Sequence, residues 1–375
     1  MKITKIDAFP VQLPFRISFG HSLAARTSST NIIVRVTLDD GTLGWGESIP
    51  REYVTGEDIQ TACQRITQLW APELKSAELP DFPQLTSFLC ELFNQHKLEQ
   101  KRWGASWCAL EIALLDAAAR YSKQPLCNLL GQVKRKTVRY GAVLPFCSQA
   151  ATIAILLFYK LYGFATVKIK VGRNLEEDLR RVELARQILG ANATLRVDAN
   201  CAWSVEQAIE AAHSFSKYEI VSIEQPVAAD DLYGMAQVKA AITAEVVADE
   251  SLCTLHDAKA LIESNAAGGF NIRISKVGGI LPAGRIAHLA RLSRIKCHLG
   301  AQVGESGILS AAGRLFACLE EPFENYEGSD NLLLLKQDLT RENLTVGWGG
   351  QGRLIAGAGL GLTVLPERIA ARLTE

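Results

Sequence analysis

The sequence lacks a surplus of either charge: 40 lysines and arginines balance 40 aspartates and glutamates. Without a basic excess it has no electrostatic footprint for nucleic acid, and no acidic run marks a charged tail. A Cys-x-x-Cys pair is also missing, and the nine cysteines are scattered and odd in number. That excludes a disulfide framework and a thiolate zinc site, and predicts buried thiols in a reducing, cytoplasmic setting. Long apolar runs are absent. The most apolar stretch, ATIAILLFYK at 151–160, is too short to span a bilayer, so no membrane partner is expected. The opening MKITKIDAFPV has no apolar signal-peptide core and reads as a strand. What is present is 48% hydrophobic residues in a chain of 375. Such a chain can bury a large core, as two domains or as one barrel with additions.

Residues 1–130 read as an α+β unit. Strand patterns at 3–13 and 31–38 lead into the turn signal DDG, and helical patterns follow at 58–71, 82–97 and 105–122. From residue 131 to 328 the pattern changes to alternating strands and amphipathic helices. Strands are expected at 137–144, 166–171, 194–199, 221–226, 245–250, 270–275, 296–301 and 323–328. This alternation predicts a parallel β/α barrel. A doubly wound open sheet is the rival, weakened because no G-x-G-x-x-G follows the first strand of the series. Residues 329–375, with a Gly-rich stretch at 347–361, read as a return to the first unit.

In a β/α barrel the chemistry lies at the C-terminal strand ends. The second strand, TVKIKVG, carries Lys168 and Lys170, which share one face because side chains alternate along a strand. The next three strands end in Asp198, Glu224 and Asp249, at steps of roughly one β/α unit, ~25 residues. Three converging carboxylates repel unless a cation joins them. Oxygen-only donors favour Mg²⁺ or Mn²⁺. A substrate carboxylate on such an ion has a more acidic α-proton, which a nearby base can remove to give an enediolate. Lys170 is the candidate base. Lys168 is the neighbour that tunes it and contacts the carboxylate.

The set V-K-I-K-V-G, D-A-N, E-Q-P and A-D-E-S, in this order and spacing, resembles the enolase superfamily and within it the muconate lactonizing enzyme subgroup, with mandelate racemase-like relatives. The resemblance implies a modified (β/α)7β TIM barrel with an N-terminal α+β capping domain completed by the C-terminal segment. It implies Asp198, Glu224 and Asp249 as metal ligands, Lys170 as the catalytic lysine, Asn200 of D-A-N beside the substrate, and an even-numbered homo-oligomer. The family's second catalytic lysine ends the sixth strand as N-I-K. Here the sequence is N-I-R-I-S-K-V-G-G, which places Arg273 there. Arginine stays protonated, so it is a poor base, though it can grip an oxyanion. Lys276, of opposite parity, is expected to face the helices if the strand stays regular; if the strand bulges and presents Lys276 to the site instead, it becomes a catalytic candidate and two-base racemisation returns.

After the seventh strand, Glu305 is placed either to reach the substrate or to sit as an acid at a helix start. The family's cap loops match 16–29 and 48–58, where Phe19, His21, Arg26, Arg51 and Tyr53 are candidates; His21 and Arg51 could bind a second anionic group. The eighth-strand region NYEGSDN lacks the D-x-D of the family's dipeptide epimerases. The expected function is a Mg²⁺-dependent isomerase, cycloisomerase- or epimerase-like, acting on a small carboxylate. The rivals are a syn-dehydratase of the o-succinylbenzoate synthase type and a catalytically silent carboxylate-binding barrel.

Overall fold

The computed structural model describes residues 1–20, 25–76, 78–82, 84–98 and 100–374. The chain opens with an antiparallel sheet of β1 (Ile3–Gly20), β2 (Ala25–Leu38) and β3 (Leu43–Ser48). The D-D-G turn forms as expected, with Thr42 N–H donating to Asp40 Oδ1 at 2.8 Å. The helix Gly104–Tyr121 lies across this sheet and is buried from Gly104 to Ala119. A Cβ at Gly46 of β3 would stand 2.0 Å from Ala109 O, so only glycine lets strand and helix approach this closely. The expected helix at 58–71 is longer, running from Ile59 to Ser76 with π-helical turns at Arg65–Trp70. The one at 82–97 is Gln84–Gln95.

The segment 137–144 is not one strand. It divides into β4 (Thr137–Arg139) and β5 (Ala142–Leu144). Tyr140 N–H donates to Gly350 O at 2.7 Å and Gly141 N–H to Tyr326 O at 2.8 Å, so the backbone leaves one sheet for another at this step. Then follow β6 (Thr166–Lys170), β7 (Thr194–Asp198), β8 (Ile220–Glu224), β9 (Glu245–Ala248), β10 (Gly269–Ile272), β11 (Lys296–Leu299) and β12 (Asn325–Tyr326). β5 to β12 form one parallel sheet in sequence order. The Gly141–Tyr326 bond joins its two edges, which gives the barrel. A helix connects each strand to the next, so the architecture is the expected (β/α)7β. Six of these helices begin with a side chain that accepts a backbone N–H: Ser148, Asn174, Ser204, Asp231, Thr254 and Ser306.

β13 (Gln351–Arg353) pairs antiparallel with β4. The chain end returns to β1, where Gln12 N–H donates to Arg372 O at 2.8 Å and Lys336 N–H to Pro14 O at 2.9 Å. The C-terminal segment thus completes the cap and also pins the first residues of the barrel.

Candidate active site

β6 packs Val167 and Ile169 into the hydrophobic core and turns Lys168 and Lys170 to the other face. Lys170 pairs in register with Asp198 of β7, which pairs with Glu224 of β8. The strand ends therefore stack the charges at one level. Lys170 Nζ donates to Asp198 Oδ2 at 2.6 Å and to Asn200 Oδ1 at 2.8 Å. Lys168 Nζ donates to Glu327 Oε2 at 2.6 Å and Glu224 Oε1 at 3.0 Å, with Asp198 Oδ2 at 3.4 Å. Burial opposes its charge, but Glu224, Glu327 and Asp198 outweigh that and hold the ammonium well above the ordinary lysine range. Lys168 is a permanent cation beside Lys170.

Beneath this level Arg196 donates to Glu327 Oε1 at 2.7 Å and to Glu224 Oε2 at 3.0 Å. Asn271 Nδ2 donates to Glu224 Oε1 at 2.7 Å. Glu327 is held below the usual carboxylate range: burial pushes it up, and Lys168 and Arg196 outweigh that push. Arg196, Asn271 and Glu327 were not among the expected site residues, although parity carries the signal. Arg196 is two before Asp198 and Asn271 two before Arg273, so each shares its neighbour's face.

β10 does not stay regular. It ends at Ile272, and Arg273 is extended before a helical turn, Ile274–Val277. The turn corrects the expectation for Lys276, which faces Asp249 and not the helices. Its Nζ donates to Asp249 Oδ1 at 2.8 Å, to Asp249 O, and to Asn271 O at 3.2 Å. Lys276 is fully buried and lines none of the cavities at the barrel mouth. Arg273 lines two of them. Its guanidinium pairs with Asp249 Oδ2, lies 3.7 Å from Glu224 Oε1 and donates to Gln302 Oε1 at 3.3 Å.

Asp198, Glu224 and Asp249 are fully buried at the ends of β7, β8 and β9. Among the described residues no three His, Cys, Asp or Glu side chains are arranged to hold an ion. The Lys168 ammonium instead stands between Asp198 and Glu224, and the Arg273 guanidinium between Asp249 and Glu224. Carboxylates that draw cationic heads between them have the charge and the hard oxygen donors a divalent cation needs, so the donor set fits Mg²⁺ or Mn²⁺ in kind. Glu250 adds to the crowding. Its Oε2 is buried without a hydrogen-bond partner among the described residues. Burial, with Asp249 and Asp198 nearby, pushes its carboxyl up to about 7.

The cavity above this floor has two arms that share Lys170, Arg273, Gln302 and Val303. One arm carries the acids Glu305 and Asp330. Burial pushes Glu305 up to about 8 and Asp330 up to about 7. The other arm carries Arg26, Arg51, Asn200 and Glu250, with Tyr53 at a rim where it is 44% exposed. Arg51 bridges cap and barrel: it donates to Ser29 Oγ of β2 at 3.0 Å and to Val303 O at 3.3 Å. His21 lies outside the described residues, as does the Phe19 side chain. Among the described residues no helix is long and apolar enough to cross a membrane.

Comparison with known proteins agrees with this fold. Residues 154–368 match the family described as enolase C-terminal domain-like, and residues 3–131 match the mandelate racemase / muconate lactonizing enzyme N-terminal domain. The chain is 30% identical to N-succinyl-L-Arg/Lys racemase of Bacillus cereus, over 84% of this chain and 83% of that one. A crystal structure of that racemase superposes with a TM-score of 0.91, covering 100% of this chain and 99% of the other at 27% identity. D-Ala-D/L-Ala epimerase of Cytophaga hutchinsonii is 32% identical over 96% of this chain and 95% of its own length. A dipeptide epimerase of that organism, solved with Mg and D-Ala-L-Val, gives a TM-score of 0.88 at 28% identity, covering 99% of this chain and 98% of the other. Muconate lactonizing enzyme of Pseudomonas fluorescens, solved with muconolactone, gives 0.89 at 27% identity, covering 100% and 99%. The two-part match along the chain and the shared fold make this protein a member of the enolase superfamily, an enzyme of its mandelate racemase/muconate lactonizing enzyme group.

Proposed function

We propose that the protein is an isomerase that moves the proton α to a substrate carboxylate and uses Lys170 as its single acid/base. The observation that carries this reading is the pairing of Lys170 with Arg273 as walls of the same cavity. Their strands, β6 and β10, are four apart in a sheet of eight, so they stand on opposite sides of the barrel. Lysine can give up its proton and arginine cannot. One face of the substrate then has a base and the other a fixed cation.

Asp198, Glu224 and Asp249 are the proposed ligands of Mg²⁺ or Mn²⁺, an ion that would neutralise the charge gathering on the carboxylate as the Cα–H bond breaks. Asp198 and Asn200 orient the Lys170 ammonium. Lys168, held charged by its carboxylates, faces the substrate carboxylate. Arg273 stabilises the enediolate from the opposite side. Arg26 and Arg51, on one arm, suit a substrate with a second anionic group, and Tyr53, Glu305 and Asn200 complete the binding wall. Cycloisomerisation needs one proton transfer on one face and fits best. Racemisation or epimerisation, the activities named for the Bacillus and Cytophaga relatives, needs a second base, and Lys276 lies buried under Asp249 away from the cavity. Syn-dehydration also needs one base and is the second reading.

For this function the chain divides into a cap at 1–130, a barrel at 131–328 and a C-terminal return at 329–375, supported by the separate β1–β3 sheet and the closed barrel. A cytoplasmic setting is supported by nine free cysteines. A homo-oligomer is supported by the exposure of Leu161 and Trp348, at 70% and 69%.

The test is α-hydrogen exchange in D₂O with Mg²⁺ on N-succinyl amino acids, dipeptides and muconolactone, each of which carries a hydrogen on an sp³ carbon α to a carboxylate. Exchange with retained configuration that vanishes in Lys170→Ala is expected. Inversion would overturn the single-base assignment, and exchange surviving Lys170→Ala would remove Lys170 from its role. No exchange on any acid would leave a carboxylate-binding barrel.

A further inference from the structure

One wall of the cavity is the segment 301–305 after β11, which carries Gln302 and Glu305. A loop of this kind has no sheet partners, so its polar groups need others. The cap supplies them. Asn31, fully buried in β2, donates from Nδ2 to Gly304 O at 2.9 Å and to Glu47 Oε1 at 2.6 Å. Glu47, fully buried in β3, accepts from Ser306 N–H at 2.9 Å, Ser306 Oγ at 2.5 Å and Leu309 N–H at 2.9 Å. Ser29 Oγ donates to Asn31 Oδ1 at 2.5 Å, and Arg51 ties Ser29 to Val303 O.

Two features argue that this clamp does more than seat the cap. Glu47 forms no ion pair among the described residues, and a buried carboxylate without a cation is expensive. It stands where four hydrogen bonds and the start of the helix Gly307–Leu319 meet. Gly304, at φ +97°, runs so close to the cap that a Cβ would lie 2.3 Å from Ser29 Cβ. Strand and loop are therefore matched to one spacing, which fixes where Gln302 and Glu305 stand.

We propose that Glu47 and Asn31 are positioning residues for substrate binding: from the cap, they hold the Gln302–Ser306 loop at the spacing that sets the cavity wall. The inference rests on the isomerase reading of the Lys170 cavity. It predicts that the clamp governs substrate affinity and leaves the proton transfer at Lys170 alone.

The experiment compares the wild-type protein with Glu47→Gln, Asn31→Ala, Glu47→Asp and Glu111→Gln. Glu111 is the control. It is another buried cap carboxylate, and it holds a barrel helix by accepting from Ile280 N–H at 2.6 Å and Leu281 N–H at 3.1 Å, but it lines no wall of the Lys170 cavity. Amide hydrogen exchange is read by mass spectrometry on every protein. KM and kcat are read on whichever acid exchanges in the D₂O screen. In Glu47→Gln, exchange across 302–309 is expected to rise about tenfold with other segments unchanged. KM is expected to rise about tenfold and kcat to stay within about twofold. Asn31→Ala should do the same to a smaller degree, and it carries the test if Glu47→Gln does not fold. Glu47→Asp should recover part of the KM. A KM that is unchanged, or that rises equally in Glu111→Gln, overturns the proposal. If no acid in the screen exchanges, the isomerase reading fails separately, and the exchange pattern decides alone: loosening confined to 302–309 supports the clamp, and uniform loosening overturns it.

Discussion

Lys170 Nζ donates to Asn200 Oδ1 at 2.8 Å. Asn200 sits at φ 47°, a left-handed conformation that asparagine tolerates better than most residues. Its amide nitrogen donates onward to Glu250 Oε1 at 2.9 Å, so one side chain fixes the direction of the proposed base. Asn200→Ala is expected to lower kcat by roughly 10–100-fold through loss of orientation. Steady-state kinetics with KM changed by less than about threefold would mark the effect as positioning.

Lys170→Arg keeps the charge and the contact with Asp198 but cannot release its proton at working pH. The variant is expected to lose roughly 10²–10⁴-fold in α-proton exchange, as Lys170→Ala does. Deuterium incorporation measured by NMR checks it.

Arg273→Lys places a group that can titrate opposite Lys170. The expected outcome is new chemistry: deuterium enters with partial inversion of configuration, where the parent protein retains it. Chiral chromatography of the recovered acid decides, and unchanged retention would show that position 273 does not face the reacting carbon.

Arg196 and Glu327 form a buried pair at 2.7 Å that also carries Lys168 and Glu224. Arg196→Met leaves Glu327 short of a counter-charge. A loss of about 3–5 kcal/mol in denaturant unfolding is expected, as for other broken buried pairs.

Burial raises Glu111 from 4.5 to about 8. A folded protein that keeps this proton where the unfolded chain has lost it is favoured at low pH. The contribution is full below the unfolded value, is lost as pH rises towards 8, and is constant above it. Glu47, raised to about 7, and Glu305, raised to about 8, act in the same direction. Thermal unfolding is therefore expected at higher temperature at pH 6 than at pH 8.5, and Glu111→Gln should flatten that slope.

The sequence made the barrel, its strand ends and the three acids legible because each repeats a local rule: alternation along a strand, one β/α unit per step. Arg273 was legible for the same reason. Lys276 was legible only as the alternative to a regular strand, because parity fails once β10 turns into a helix at Ile274. The division of 137–144 was hidden too, since its cause is contact with Gly350 and Tyr326, far along the chain. Glu327 and Glu47 were missed on similar grounds. Their roles come from partners 159 and 259 residues away, which no local pattern records.

The divided strand also sets an order of events during synthesis. Tyr140 and the β4 ladder wait for residues 350–353, and the seam at Gly141 waits for Tyr326. A ribosome that has released only the first seven barrel strands therefore presents an open, curved sheet with an unpaired edge at each side, a state open to mispairing. β12 acts as the latch of the first barrel strand, and the enzyme cannot close its own catalytic ring until Tyr326 has been made.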